Sequence, residues 1–238
     1  QEAESVFNDI KRFIINTVNF LKRLVTWIYE ELINQLEQGL DDEDLDPDYI
    51  IEAILYDFIF RDPNSSTYRI VYEFSKLKCQ EKMAKFKESL LQKKQDKLED
   101  YDEHFKKSIF RLEGKKHPYA EVCNKIHSIE KEMNPYLKYE SIVLLEHEML
   151  KCVMSYHSDD QRALAKIKDN FGMDVKLPLL IYCIVQSQKE TILIDHEIII
   201  SFVHEKYLDS VQSYMTFSTC IEYLLGKDKE SCLSQSTV

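Results

Sequence analysis

The sequence predicts an all-helical protein, and three observations lead to this fold class. The 238-residue chain contains only four glycines and five prolines, which is few for a fold rich in sheet turns. Its apolar residues make up 44% of the chain and recur at intervals of three and four. A chain of this length can bury a core of ordinary size. We therefore expect an all-α, multi-helix bundle with an N-terminal amphipathic helical element.

The first elements follow from this periodicity. Apolar residues at helical spacing over 6–36 predict one long or once-broken amphipathic helix. The acidic run at 40–48 predicts a boundary, with Asp46 as an N-cap and Pro47 as the first residue of the next helix. Residues 49–60 are apolar on nearly every side, so we expect that helix to lie deep in the core. The chain then divides into an N-terminal element at 1–46, a helical domain at 47–226 and a polar tail at 227–238.

The later elements complete the bundle. A charged stretch at 67–111 mixes lysines with acids at helical spacing and predicts a solvated helix, broken once. Pro178 suits the first turn of the most apolar helix, because its missing N–H would be unpaired there anyway. Asp174, four residues earlier, should then stand exposed on a rim above the core. The other predicted helices cover 119–132, 136–156, a short segment capped within 158–160, 195–204 and 215–225.

The composition argues against several classes of function. The net charge of −11 disfavours nucleic acid and anionic membranes as main ligands, since both need a basic face. The longest apolar run is far shorter than the roughly 20 residues of a membrane span, so we expect no direct membrane insertion. The six cysteines are spaced singly, which predicts reduced thiols and a cytoplasmic location.

The sequence contains no familiar catalytic or nucleotide-binding motif. It lacks GxGxxG, GxxxxGK[ST], GxSxG and HExxH. Residues 146–148, Glu-His-Glu, have no second histidine at metal-ligand spacing and predict only an exposed helical face. We therefore expect no cofactor, no metal and no conventional enzymatic chemistry.

Three segments, taken in order, resemble a known family. Residues 174–185, DVKLPLLIYCIV, place an acid four residues before a proline and an apolar helix. Residues 134–145, NPYLKYESIVLL, supply Pro135, Lys138 and Tyr139 at the first, fourth and fifth places of a second motif. Residues 218–225, STCIEYLL, are similar to a closing helix. Together they resemble the Vps-nine domain, the helical guanine-nucleotide exchange domain for endosomal Rab GTPases of the Rab-five class.

This resemblance implies a function and a set of site residues. It implies an exchange factor in which Asp174 pairs with the P-loop lysine of the GTPase and displaces Mg²⁺. Such a factor releases the nucleotide without making or breaking a covalent bond. The implied partner is a Rab-family GTPase, and the implied location is cytoplasmic and peripheral on endosomal membranes, through partners. The implied GTPase-binding residues are Pro178, Leu179, Tyr182, Asp195, Tyr214 and Thr216.

The sequence also departs from the family, which leaves a second interpretation open. Val175 and Lys176 stand where a second acid is usual. Asp195 replaces an asparagine and keeps its capping ability, and the match of Tyr214 and Thr216 depends on a one-residue gap. The alternative is a noncatalytic helical scaffold or adaptor subunit in which Asp174 is only a helix-start acid. A helical protein partner through residues 6–36 is a further expectation.

Overall fold

The computed structural model describes residues 5–6, 8–20, 23, 47–60, 66–102, 105, 109–112, 114 and 117–226. Every regular element in these ranges is helical, which confirms the all-α class. An N-terminal helix includes residues 8–20, and a 3-10 turn lies at Ile109–Arg111. The α-helices that follow are α1 Pro47–Phe60, α2 Ser66–Gln92, α3 Leu98–Tyr101, α4 Ala120–Ile129, α5 Pro135–Val143, α6 Leu145–Tyr156, α7 Gln161–Asn170, α8 Met173–Ser187, α9 Ile192–Phe202, α10 Glu205–Ser210 and α11 Gln212–Leu224.

The core is built around α8, which is packed against α2, α3, α4, α6 and α11. From Pro178 onward this helix is apolar almost all round, and a helix of that composition is stable only when other helices cover every side. Its fully covered residues are Pro178, Leu179, Leu180, Ile181, Cys183, Ile184, Val185 and Ser187.

Pro178 lies inside α8 and not in its first turn, so that prediction was wrong. The helix already begins at Met173, where the N–H groups of Val175 and Lys176 bind the Gly172 carbonyl at 3.1 and 2.9 Å. An acid in the first turn favours this earlier start, because it interacts well with the positive end of the helix dipole. Proline has no N–H, so the carbonyl of Asp174 cannot receive the usual bond from residue 178.

Helix α1 is only half covered, which corrects the expectation that it lies deep in the core. Tyr56 and Phe60 are buried, but Ile54 and Phe58 are 63% and 80% exposed. The helix lies at an edge, where its main neighbours are α2 and α5. Its predicted start at Pro47 is confirmed, whereas Asp46 lies outside the described residues.

Side-chain caps agree with the prediction at Asp160 and depart from it at Asp195. Asn134 caps α5 through the N–H of Tyr136 at 2.9 Å, and Asp160 caps α7 as predicted. Asp195 does not cap α9, because that helix starts three residues earlier, after Thr191. The single helix predicted at 136–156 divides at Leu144 into α5 and α6.

The N-terminal helix has two apolar faces. Ile14 and Val18 are buried in the same hydrophobic cluster as the rest of the core. Val6, Phe13 and Phe20, spaced seven residues apart, are 48%, 71% and 63% exposed. The boundary at residue 46 stays a prediction, and residues 24–46 and 227–238 lie outside the described part of the chain. Within that part, no helix combines the length and the apolar character needed to cross a membrane.

Burial of Ile14 gives a test of whether the N-terminal helix belongs to the main core. We expect Ile14→Ala to lower the free energy of unfolding by about 2–5 kcal/mol, because a buried side chain is lost. The neighbouring exposed residue supplies the control, since Phe13→Ala should stay within about 0.5 kcal/mol of wild type. Urea unfolding followed by circular dichroism measures both. Equal stabilities for the two variants would mean that the helix forms an independent unit.

Candidate functional site

Asp174 is an exposed carboxylate at the second position of α8. Its carboxylate turns back over Gly172: a Cβ built on that glycine would lie 2.6 Å from Asp174 Oδ1. Glycine is thus the residue that leaves room for this side-chain orientation. The predicted exposure of Asp174 agrees with the structure, whereas its role at a nucleotide site stays a prediction.

Helix α11 packs along the first half of α8 and contacts Met173 and Leu177 there. The Thr216 hydroxyl lies 3.3 Å from the Met173 sulfur, and Cys220 Sγ lies 3.7 Å from the Leu177 carbonyl. Met173 and Met215 are 39% and 40% exposed. These two methionines are exposed apolar side chains, one at the start of α8 and one in the first turn of α11.

The other predicted site residues lie mostly in the interior. Pro178 and Leu179 are core residues of α8, and Tyr182 is half-buried against Tyr101 and Tyr119. Tyr182 also borders a cavity of about 630 Å³. It is eight residues from Asp174, which corresponds to about 12 Å along a helix axis. The structure therefore places Met173, the neighbour of Asp174 in sequence, against Thr216, whereas Tyr182 lies about two turns further along the helix.

The two predicted hydroxyl groups of α11 face inward. Thr216 is 1% exposed and donates a hydrogen bond to the Gln212 carbonyl at 2.9 Å. Tyr214 is 3% exposed and packs on Tyr139 and His196. Its hydroxyl has no hydrogen-bond partner among the described residues, and burial raises its pKa. Both groups are neutral donors that a partner reaches only after side chains move.

Lys138 and Asp195 form a buried ion pair between α5 and α9. Lys138 Nζ lies 2.6 Å from Asp195 Oδ1, and the two side chains are 0% and 1% exposed. The ammonium also donates to the Ile129 carbonyl at 3.0 Å. Burial raises the pKa of the Asp195 carboxyl, while the Lys138 charge acts in the opposite direction. The pair joins α5 to α9, and its residues are 57 positions apart, so sequence spacing gave no signal for it.

Glu146 belongs to a second pair that the sequence analysis missed. Lys176 Nζ lies 2.7 Å from Glu146 Oε2, with the side chains 21% and 10% exposed. The expectation of an exposed helical face around Glu146 was therefore wrong, because the start of α6 packs against α8 and turns this acid inward. The two residues lie far apart in the sequence, so residue spacing gave no signal for this pair.

A comparison with protein families decides what this group of helices is. Residues 119–229 match the family model of the vacuolar sorting protein 9 (VPS9) domain. The chain contains a VPS9 domain. The match spans α4 to α11 and so includes Asp174, Lys138, Asp195 and the start of α11. A VPS9 domain implies guanine-nucleotide exchange in general and a Rab GTPase as the partner. A search of curated proteins found no match.

The Lys138–Asp195 pair generates a prediction about the stability of the VPS9 domain. Lys138→Met and Asp195→Leu should each lower the free energy of unfolding by about 3–5 kcal/mol, since each leaves one buried charge without its partner. The double variant removes both charges and should be as stable as wild type or more stable. Urea unfolding of all four proteins measures the coupling. Additive losses in the double variant would contradict this account.

Proposed function

We propose that this protein is a guanine-nucleotide exchange factor for an endosomal Rab GTPase of the Rab-five class, and that Asp174 acts on the nucleotide site. The observation that carries the proposal is the position of Asp174: an exposed carboxylate at the start of a buried helix, inside the VPS9 match. The packed part of α8 is a rigid support from which one acid can be inserted into a partner.

The proposed mechanism is electrostatic. A GTPase holds its nucleotide through a P-loop lysine and a Mg²⁺ ion that neutralise the phosphates. The Asp174 carboxylate pairs with that lysine and occupies the space of the metal, so the phosphates lose both counter-charges. A nucleotide bound with picomolar affinity has a binding free energy of about −16 kcal/mol. The factor opposes this by a coupling free energy, and nucleotide rebinding weakens the factor's own grip equally.

The proposed contact surface lies around the starts of α8 and α11. Met173 and Met215 supply exposed apolar contacts for the switch regions of the GTPase, and methionine side chains adapt easily to a partner's shape. Thr216 and Tyr214 donate hydrogen bonds to the switch backbone in this proposal. Because the Thr216 hydroxyl lies against Met173, movement of that methionine side chain is part of the binding step.

The noncatalytic scaffold is the second candidate, and one observation favours it. Of the proposed contact residues, Asp195, Tyr214 and Thr216 are at most 3% exposed. A domain that kept the VPS9 fold and lost the exchange function has no need to bring these groups to the surface. In that case Asp174 serves only as a first-turn acid of α8.

We also propose a helical protein partner for the N-terminal helix and a peripheral location on endosomal membranes through such partners. The exposed stripe of Val6, Phe13 and Phe20 supports the partner. Its spacing of seven residues is that of a helix-packing seam.

Substitution of Asp174 separates the exchange factor from the scaffold. Asp174→Ala should keep the fold, because an exposed first-turn acid contributes no more than about 1 kcal/mol. Nucleotide release should slow by about tenfold or more, which corresponds to at least 1.4 kcal/mol of lost transition-state stabilisation. Asp174→Asn should be nearly as damaging, because it keeps the shape and removes the charge. Release of a fluorescent nucleotide from Rab-five-class GTPases, followed by stopped flow, measures all three proteins.

Two controls make this experiment decisive. Thermal melts must show that both variants are folded, and binding to the nucleotide-free GTPase should weaken in step with release. The scaffold is favoured if wild type stimulates none of these GTPases, or if folded Asp174 variants act at the wild-type rate.

Gly172 offers an independent test of the Asp174 orientation. Gly172→Ala places a Cβ only 2.6 Å from Asp174 Oδ1, so the carboxylate must rotate away. The backbone at Gly172, with φ −85° and ψ −177°, is open to alanine, and loss of the glycine N-cap costs about 1 kcal/mol. We expect a folded variant with several-fold slower nucleotide release. The double variant Gly172→Ala/Asp174→Ala should be no slower than Asp174→Ala alone; a further loss would assign Gly172 a separate role.

A further inference from the structure

The first turn of α8 is weakly tied to the rest of its own helix. Pro178 cannot donate a hydrogen bond to the carbonyl of Asp174, and its ring crowds that same carbonyl. The residue proposed to act on the nucleotide therefore lies in a turn that the helix ladder holds incompletely. Contacts with other elements must fix its orientation.

Lys176 makes the contacts that can do this. Its ammonium lies 2.7 Å from Glu146 Oε2, at the start of α6, and 5.5 Å from the centre of the Phe171 ring. Phe171 comes before Asp174 in the sequence and Lys176 comes after it. The contact between them therefore joins the two ends of the segment that carries Asp174. A cation near an aromatic face and a carboxylate is attracted to both.

The Glu146–Lys176 pair differs from the surface ion pairs of this chain. Pairs such as Arg12–Asp9 have side chains about two-thirds exposed, and such pairs contribute little. The Glu146 side chain is 10% exposed, and its Oε1 atom has no hydrogen-bond partner among the described residues. The buried Glu146 carboxylate is thus paired with the Lys176 ammonium. Breaking the pair leaves a buried charge and frees the turn.

We infer that Glu146 and Lys176 are positioning residues that orient the Asp174 turn for nucleotide exchange without touching the GTPase themselves. This inference rests on the proposed exchange function. Asp174 remains the only acid of the turn.

The test compares two ion pairs at opposite ends of α8. Lys176→Met, Glu146→Gln and the double variant Lys176→Met/Glu146→Gln break the pair at the start of the helix. Lys189→Met breaks the Lys189–Glu130 pair just after its end, where the lysine side chain is 18% exposed. Lys176→Arg keeps the charge. Nucleotide release is measured at a series of GTPase concentrations, with thermal melts of every variant.

We expect the maximal release rate, kcat, to fall about five- to tenfold in Lys176→Met and Glu146→Gln, with KM within about twofold of wild type, because a misplaced group reduces turnover more than binding. The double variant leaves no unpaired buried charge, so it should melt close to wild type yet remain slow. Lys176→Arg should keep at least about half of the wild-type rate. Lys189→Met should exchange normally, whatever its melting temperature.

The outcomes also separate this inference from the proposed function. If wild type stimulates no release, the exchange function fails and the positioning role fails with it. If Asp174→Ala is slow while the folded double variant is as fast as wild type, exchange stands and the positioning role is refuted. The same refutation follows if Lys189→Met slows release as much as Lys176→Met, because the effect then reflects general stability. Lys176→Met on an Asp174→Ala background should cause no further loss.

Discussion

The burial of α8 is the constraint on which the rest of the structure depends. From Pro178 to Val185 this helix is apolar on nearly every side, so it is stable only when neighbours surround it. Helices α2, α3, α4, α6 and α11 supply that cover. The exposed residues of this helix, Met173 and Asp174, lie at its start. The exposed position of Asp174 is therefore a direct consequence of how the core is packed, and the proposed exchange function uses that exposed end.

The two buried ion pairs, Lys138–Asp195 and Glu146–Lys176, orient the helices more than they stabilise the fold. Taking Lys138 and Asp195 out of water costs several kcal/mol for each ion, roughly what their attraction returns. An ion pair requires one particular separation of its atoms, whereas apolar contacts tolerate small shifts. The pair thus fixes how α5 lies on α9, as Glu146 and Lys176 fix α6 on α8. Each pair therefore favours one relative position of the two helices that it joins, α5 with α9 and α6 with α8.

The sequence predicts whatever is decided locally. The helical class, the start at Pro47 and the cap at Asp160 depend on spacing or on neighbouring residues, and the structure agrees with them. Burial depends on where a helix lies in the bundle, which spacing does not reveal. Ile54 and Phe58 are exposed for that reason, although their segment is as apolar as a core helix. Glu146, in a segment that looks solvated, is buried for the same reason.

The site residues differ in the same way, because some of their positions depend on neighbouring residues and others on how the helices pack. The exposure of Asp174 could be predicted, because an acid before an apolar helix has a local signature, whereas the inward positions of Tyr214 and Thr216 depend on how α11 packs on α8. Met173 links the two parts: it is adjacent to Asp174 in sequence and covers the Thr216 hydroxyl in space. A partner that displaces this adaptable side chain uncovers the Thr216 hydroxyl, which can then turn its proton from the Gln212 carbonyl toward the partner. Recognition by α11 thus follows engagement of α8, which gives the proposed exchange reaction an order of steps.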